Sequence, residues 1–413
     1  MVTTHSSLEE PAAGSGCGVV QAHALPWRTH LLDAGLATAL AFALYALAND
    51  GSFMFFNYHL HLAVAFLAER LHIPNPPSWL TEFAWVDGRA YVYFDPLPAL
   101  FLLPWAAVWG LETNIAPICV GIGAFNVGAT RLLLGRLGTS RAIANAMTLL
   151  FAVGTVHFWA AQYGNTWLLA QLLAVTMLTL AWMEAADDAN PFLLGLLSAL
   201  AATSRSPAAL GAPFFLMLGL RRRPRLATVF EYGLGGAIVA FVIGVYNMAR
   251  FGDPLDNGYL YANQNLLAPQ HGSFSWHYLQ QNLYHYFLRG PVFESTFPWI
   301  GFDDHGLALT LTTPAVLLLL GWGWSRRATD AVFRGRIALA GTAAIFCLYL
   351  FYFWDGWRQF GSRYTLDFTP FLIVALALRE DGRARHRLFT FLVAASLLVN
   401  VYAIWWLRFA RPG

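Results

Sequence analysis

Four stretches of the sequence carry side chains able to do chemistry. The first runs from 49 to 110 and holds Asp50, Asp87 and Asp95 among Asn57, His59, His61, Tyr91 and Tyr93. A carboxylate or imidazole beside a hydroxyl can take its proton, a contribution of typically about 10²–10⁴-fold to a transfer reaction. Asp95, in Phe94-Asp95-Pro96, is the best placed, with Asp50 as its alternate; the same Asp95 also suits the cap of a helix that starts at Pro96. Asp87, in Val-Asp-Gly-Arg, reads as a turn residue, and the histidines equally suit a membrane interface with their ring tips toward water. The second stretch centres on Arg205 in Thr-Ser-Arg-Ser-Pro, between two apolar runs. An arginine inside a membrane costs roughly 2.5–3.5 kcal/mol and needs a partner. A lipid phosphate, held bidentately, is one; helix-end carbonyls are another. The third, Trp354 to Phe371, packs Asp355, Arg358, Arg363, Tyr364 and Asp367 into an aromatic-rich segment. An interfacial belt accounts for the aromatics, whereas the charged residues point to contacts with a bound substrate, and Asp367 is placed to pair with an arginine. The fourth opens at Arg250, a candidate substrate contact, and ends near Asp303, Asp304 and His305. That triplet resembles metal ligands, but consecutive residues rarely converge on one ion and no spaced partner accompanies them.

The elements that must position these residues are apolar helices. Of 413 residues, 57% are hydrophobic and 12% charged; soluble domains carry roughly 25% charged residues. Apolar runs fall at 31–48, 113–132, 142–161, 166–183, 191–204, 207–221, 227–249, 307–324, 336–353, 364–379 and 388–408, which predicts an all-α, polytopic transmembrane bundle of about 11 spans. Arginine clusters at 131–141, 221–225, 326–336 and 379–387 lie on alternate connections. The excess of positive charge assigns those connections, and the N-terminal tail of residues 1–30, to the cytoplasm. The outer side then receives the first loop at 49–112 and a second at 250–306. Within the first loop, 96–110 is apolar but short and proline-interrupted. It reads as a re-entrant or interfacial helix, and 57–71 and 273–288 read as interfacial amphipathic helices.

All 25 basic residues are arginine, and the net charge of +2 excludes no partner class by itself. Cys17, Cys119 and Cys347 are too far apart in sequence for a disulfide framework or a metal spacing. No glycine-rich phosphate loop and no zinc spacing occurs, and nothing points to nucleic acid. The first 30 residues lack the order of a signal peptide.

Four segments, DGRAYVYFDPLPALFLLP, TSRSPAALGAPFFLML, YNMARFGDPLDNGY and FGSRYTLDFTPFL, resemble the GT-C superfamily of membrane glycosyltransferases, nearest to the protein O-mannosyltransferase and aminoarabinose-transferase relatives. The likeness extends to about residue 380. It implies a polyprenyl-phosphate-linked sugar as donor, inverting transfer on the outer face of a bacterial inner membrane, and a glycan, lipid or protein acceptor. It also implies a loop acid as base, matched by Asp95, and a basic hairpin residue facing the lipid phosphate, matched by Arg205. The residues require no cofactor, and the resemblance leaves room for a divalent cation held by the loop acids. Two positions depart from the pattern. Asn57 stands where relatives carry an acid, with Asp50 seven residues earlier, and Asn165 stands where an acid is common in the second outer loop.

The expected site therefore places Asp95 or Asp50 as base, with Arg205, Arg363 and Arg358 on the donor phosphate. Asn57, His59, Tyr93, Tyr364 and Arg250 are its expected substrate contacts. The rival expectation, a non-catalytic lipid or sugar carrier or a degenerate scaffold of the same class, draws on Asn57 and Asn165. Spans largely free of charge favour the transferase, because carriers place polar groups near the midplane.

Overall fold

The computed structural model describes residues 27–49, 51, 55–262, 269–321, 329–379 and 386–410. Asp50 and Cys17 lie outside the described residues. The chain opens with α1 (Trp27–Ala48) and α2 (Tyr58–Leu67), then a hairpin of β1 (Ala84–Val86) and β2 (Arg89–Tyr91), then α3 (Leu97–Trp109). Next come α4 (Ile115–Arg136), α5 (Arg141–Val153), α6 (His157–Ala160) and α7 (Thr166–Ala186). After them run α8 (Pro191–Ala202), α9 (Ala212–Arg222), α10 (Arg225–Phe251) and α11 (Tyr259–Ala262). The last third holds α12 (Leu279–Phe287), the paired strands β3 (Val292–Phe293) and β4 (Ile300–Gly301), and α13 (Leu309–Thr312). It ends with α14 (Asp330–Leu350), α15 (Thr369–Ala377) and α16 (His386–Phe409).

The fold is all-α apart from the two small hairpins. Six helices, α1, α4, α7, α10, α14 and α16, are long and apolar enough to cross a membrane, and they coincide with six of the expected spans. At the other five stretches the helix is short or broken. The 12 residues of α8 rise about 18 Å, against a hydrocarbon core of about 30 Å. A 3-10 turn, Ser206–Gly211, precedes α9, another, Arg363–Phe368, precedes α15, and a 3-10 run, Pro314–Gly321, follows α13. Pro207, Pro213 and Pro370 each stand at the first positions of a new segment, where a missing N–H costs nothing and the fixed φ starts a helix.

Helices α4 and α7 are the inner members, while α1, α10 and α16 are peripheral. Close approach depends on small residues, as expected where lipid supplies no hydrophobic drive between helices. A side chain on Gly195 of α8 would strike the backbone carbonyl of Tyr232, and one on Gly235 of α10 would strike that of Phe192. Ion pairs collect four helix ends on one face: Arg136 of α4 reaches Asp187 past α7 at 2.5 Å, and Arg222 of α9 reaches Asp330 of α14 at 3.0 Å. Buried Arg334 completes this face by donating to the carbonyls of Ala185 and Ala186 at the C-terminus of α7, where the helix dipole favours a cation.

The β1–β2 hairpin turns at Asp87 and Gly88, both at positive φ (50° and 72°), the two-residue geometry that matches strand twist. Asp87 is thus the turn residue expected from the sequence.

Candidate functional site

At the end of α14 opposite Asp330, a cavity of about 370 Å³ opens. Its wall is built by the segment around the β1–β2 hairpin (Glu82, Tyr93, Phe94), the first turn of α7 (Trp167) and the turn between α8 and α9 (Arg205, Ser206). Tyr259 of α11, the C-terminal end of α14 with the residues after it (Tyr349 to Trp354), and Arg363 with Tyr364 complete it. Local chemistry fixes each piece. Asn282 of α12 donates to the carbonyls of Tyr349, Leu350 and Tyr352 at 2.7–3.1 Å and so holds the frayed end of α14. Gln171 of α7 donates to the Arg363 carbonyl at 3.0 Å and pins the 3-10 turn. Asn165 caps α7, its side chain accepting from Leu168 N at 2.8 Å.

Arg205 has its counter-ion inside the protein. Its Nη2 lies 3.0 Å from Asp367 Oδ2 and 3.3 Å from the Tyr349 hydroxyl, and its Nε points to the same carboxylate. The Tyr349 hydroxyl donates to Asp367 as well. Asp367 is fully buried, whereas the Arg205 side chain keeps 16% exposure and lines the cavity. Its partner is the Asp367 carboxylate expected to pair with an arginine, and neither Nε nor Nη2 is left for helix-end carbonyls. The Nη1 group remains for a ligand.

Arg363 is different. Among the described residues no carboxylate lies within ion-pair distance of it. Its Nη1 donates to the Trp357 carbonyl at 3.3 Å, its Nε is buried without a partner, and its guanidinium lies 5.0 Å from the Trp167 ring centroid. A mostly buried cation at a cavity wall, with no carboxylate partner among the described residues, is the arrangement that recruits an anion. Tyr364 stacks flat on Tyr349, centroids 4.8 Å apart, and together with Tyr93 it forms an aromatic wall.

Glu82 is the carboxylate in this wall, and sequence reasoning passed over it. Burial raises its pKa, against the opposing effects of the Arg363 charge and a hydrogen bond with Tyr93. A dehydrated carboxylate next to hydroxyls and a cation is a stronger base than a solvated one.

Asp95 does not line either of the two cavities of this face. Its Oδ2 accepts from the Ser206 amide at 2.9 Å and the Ser206 hydroxyl at 2.7 Å. It therefore secures the start of the 206–211 turn next to Arg205 rather than capping α3, whose N-terminal position is Pro96 with no side-chain cap. Burial also raises the pKa of Asp95, and the Ser206 hydrogen bonds oppose the rise. His59 clamps the same corner: its Nε2 meets the Asp95 carbonyl at 3.1 Å and its Nδ1 meets the Thr166 hydroxyl at 2.5 Å. Burial pushes its pKa down to about 4, so the ring is neutral. Asn57 and Arg250 are likewise buried away from the cavity. Asn57 precedes α2, and Arg250 donates to the Val92 carbonyl at 2.9 Å and to Asn247 at 2.7 Å. His59 and Arg250 join elements together instead, through carbonyl, hydroxyl and amide partners inside the fold, whereas the Asn57 side-chain oxygen is buried without a partner among the described residues.

Arg358 lies in a second cavity of about 230 Å³, stacked 4.6 Å from the Trp357 centroid. Trp167, Trp357 and Arg363 line both cavities and form the wall between them. The Asp303–His305 triplet is dispersed among other partners. Asp303 pairs with Arg289 at 2.6 Å, and His305 meets Asp355 at 2.9 Å. Among the described residues no group of three or more His, Cys, Asp or Glu is arranged to hold a metal ion, and neither Glu82 nor Asp95 belongs to such a group.

Comparison with protein-family models and with curated protein sequences finds no match to this chain.

Proposed function

We propose that the protein is an inverting membrane glycosyltransferase of GT-C type that uses a polyprenyl-phosphate-linked sugar. One juxtaposition carries this reading. Arg363, a cation without a carboxylate partner, and Glu82, a carboxylate made more basic by burial, face one aromatic-walled cavity at one end of a bundle of apolar helices. In the reaction, Glu82 takes the proton of the acceptor hydroxyl, and the oxygen attacks the anomeric carbon from the face opposite the phosphate. The bond from that carbon to the phosphate oxygen breaks, and its electron pair stays on the phosphate. The growing negative charge is met by Arg363 and by the Nη1 group of Arg205. Asp95 and His59 act through position, by holding Ser206 and so the backbone beside Arg205. In this reading the cavity faces the outer side of a bacterial inner membrane, the N-terminus is cytoplasmic, and the five short or broken helices cross in pieces to make about 11 spans. The acceptor is a glycan, lipid or protein of the cell envelope.

A carrier or scaffold role has one observation in its favour. Asn165, at one of the two positions where the resemblance calls for an acid, spends its side chain on capping α7. Reconstitution in liposomes with polyprenyl-phosphate sugars separates the two readings. Glu82→Gln should lower turnover at least 10²-fold while leaving donor binding intact, and wild-type turnover should rise with pH through a carboxyl pKa above the usual range. Arg363→Gln should weaken donor binding. Donor binding without turnover in the wild type would establish the carrier role, and wild-type turnover in Glu82→Gln would remove Glu82 as base.

A further inference from the structure

On the arginine-rich face, remote from the cavity above, a groove of about 310 Å³ runs between α1 and α5 over α4. Its walls are apolar, formed by Leu36, Leu40 and Leu44 of α1, Val127 of α4, and Leu149 and Val153 of α5. One end is charged. Asp33 of α1 accepts from Arg131 of α4 and from Arg141 of α5, the latter at 2.7 and 3.1 Å. Among the described residues, two guanidinium groups against one carboxylate leave a net charge of +1 where the apolar walls begin.

The donors at that end are not exhausted. Arg131 spends its Nε on Asn145 Oδ1 at 2.9 Å, and its buried Nη1 has no partner among the described residues. Arg141, with 57% of its side chain exposed, uses Nε and Nη2 on Asp33 and keeps Nη1. The Asn145 amide, once its oxygen is taken by Arg131, still has an NH₂ group to offer. An anion placed here would receive charge-assisted hydrogen bonds and would remove the unbalanced positive charge. The apolar part has the length of one leaflet. From Asp33 to Leu44 the helix rises about 16 Å, and half of a hydrocarbon core is about 15 Å.

We propose that this groove binds one anionic glycerophospholipid, its phosphate on Arg141 and Asn145 and one acyl chain along Leu36, Leu40 and Leu149. The lipid completes the charge of the Asp33–Arg131–Arg141 cluster and seals α1 against α5. The proposal is independent of the transferase reading.

Native mass spectrometry of the delipidated full-length protein tests it, with phosphatidylglycerol as probe and phosphatidylcholine as the zwitterionic control. The wild type should retain one phosphatidylglycerol at least tenfold more tightly than phosphatidylcholine. Arg141→Gln should lose about tenfold in that first-bound lipid, as expected for one charge-assisted hydrogen bond. Leu149→Trp, which fills the groove and leaves the charges in place, should lose it too; thermal melts of both variants near the wild-type value show that the fold is intact. Equal retention of phosphatidylcholine, or unchanged phosphatidylglycerol occupancy in both variants, overturns the proposal. So does tighter retention of polyprenyl phosphate with the same dependence on Arg141, which would make the groove a second site for that lipid.

Discussion

Replacing Asp367 with asparagine keeps the shape of the residue and removes the counter-ion of Arg205. The pair is 3.0 Å apart, with 16% and 0% of the side chains exposed. Breaking a buried pair by neutralising one member costs about 3–5 kcal/mol. Arg205 reaches a cavity that water can enter, so the low end, about 3 kcal/mol, applies. The same substitution takes one negative charge out of the neighbourhood of a bound phosphate. At roughly 7 Å and an effective dielectric constant of about 20, that charge repels the phosphate by about 2.4 kcal/mol, and the opening to water roughly halves this. Donor affinity should therefore rise about sevenfold while stability falls. Thermal and denaturant unfolding of the solubilised protein, together with polyprenyl-phosphate binding measured well below the melting transition, give both quantities. The double variant Arg205→Met, Asp367→Leu should recover most of the lost stability, because an apolar pair has no charge to desolvate, and should bind the phosphate less well than the wild type. A loss under about 1 kcal/mol in Asp367→Asn, or a double variant no more stable than the single one, would refute the buried-pair account.

Acid should weaken the fold through His59. With its folded pKa near 4 against about 6.5 when unfolded, the stability that His59 contributes is full above pH 6.5 and is lost as the pH falls toward 4, by about 3 kcal/mol. His59→Gln should flatten that part of the stability–pH curve, and an unchanged slope would exclude the assignment. Gly235→Val should cost several kcal/mol in an unfolding assay, since the new side chain meets the Phe192 carbonyl. Gly236→Ala, where the nearest atom is the Gly195 carbonyl oxygen at 3.9 Å, should be neutral or gain up to about 1 kcal/mol from helix propensity; equal damage at both positions would contradict the packing described for α8 and α10.

The long helices were legible because the membrane demands about 20 apolar residues in a row and six stretches supply them as continuous helix. The broken ones were not, since Pro207, Pro213 and Pro370 mark helix starts as readily as interruptions, and hydropathy alone does not separate one long helix from two short ones. The turn at Asp87-Gly88 was legible because few residues adopt two successive positive φ angles. The pairing of Asp367 with an arginine could be anticipated from the cost of burying either alone. Glu82 was missed because it stands in Trp-Leu-Thr-Glu-Phe-Ala-Trp with no charged neighbour. Its available signal was that isolation: a lone acid in an aromatic stretch that leads directly into a hairpin turn. His59 and Arg250 carried the opposite error. A polar residue in an aromatic-rich loop looks the same in sequence whether it faces a cavity or a buried carbonyl.

The partition formed by Trp167, Trp357 and Arg363 belongs to both cavities at once. Whatever rotamer of Arg363 suits an occupant on one side is the rotamer presented to the other. Occupancy of the two compartments is then thermodynamically linked, and the factor by which a first occupant alters the affinity for a second must equal the factor measured with the order of addition reversed. Arg363 has no carboxylate partner among the described residues, whereas Arg205 is fixed by Asp367.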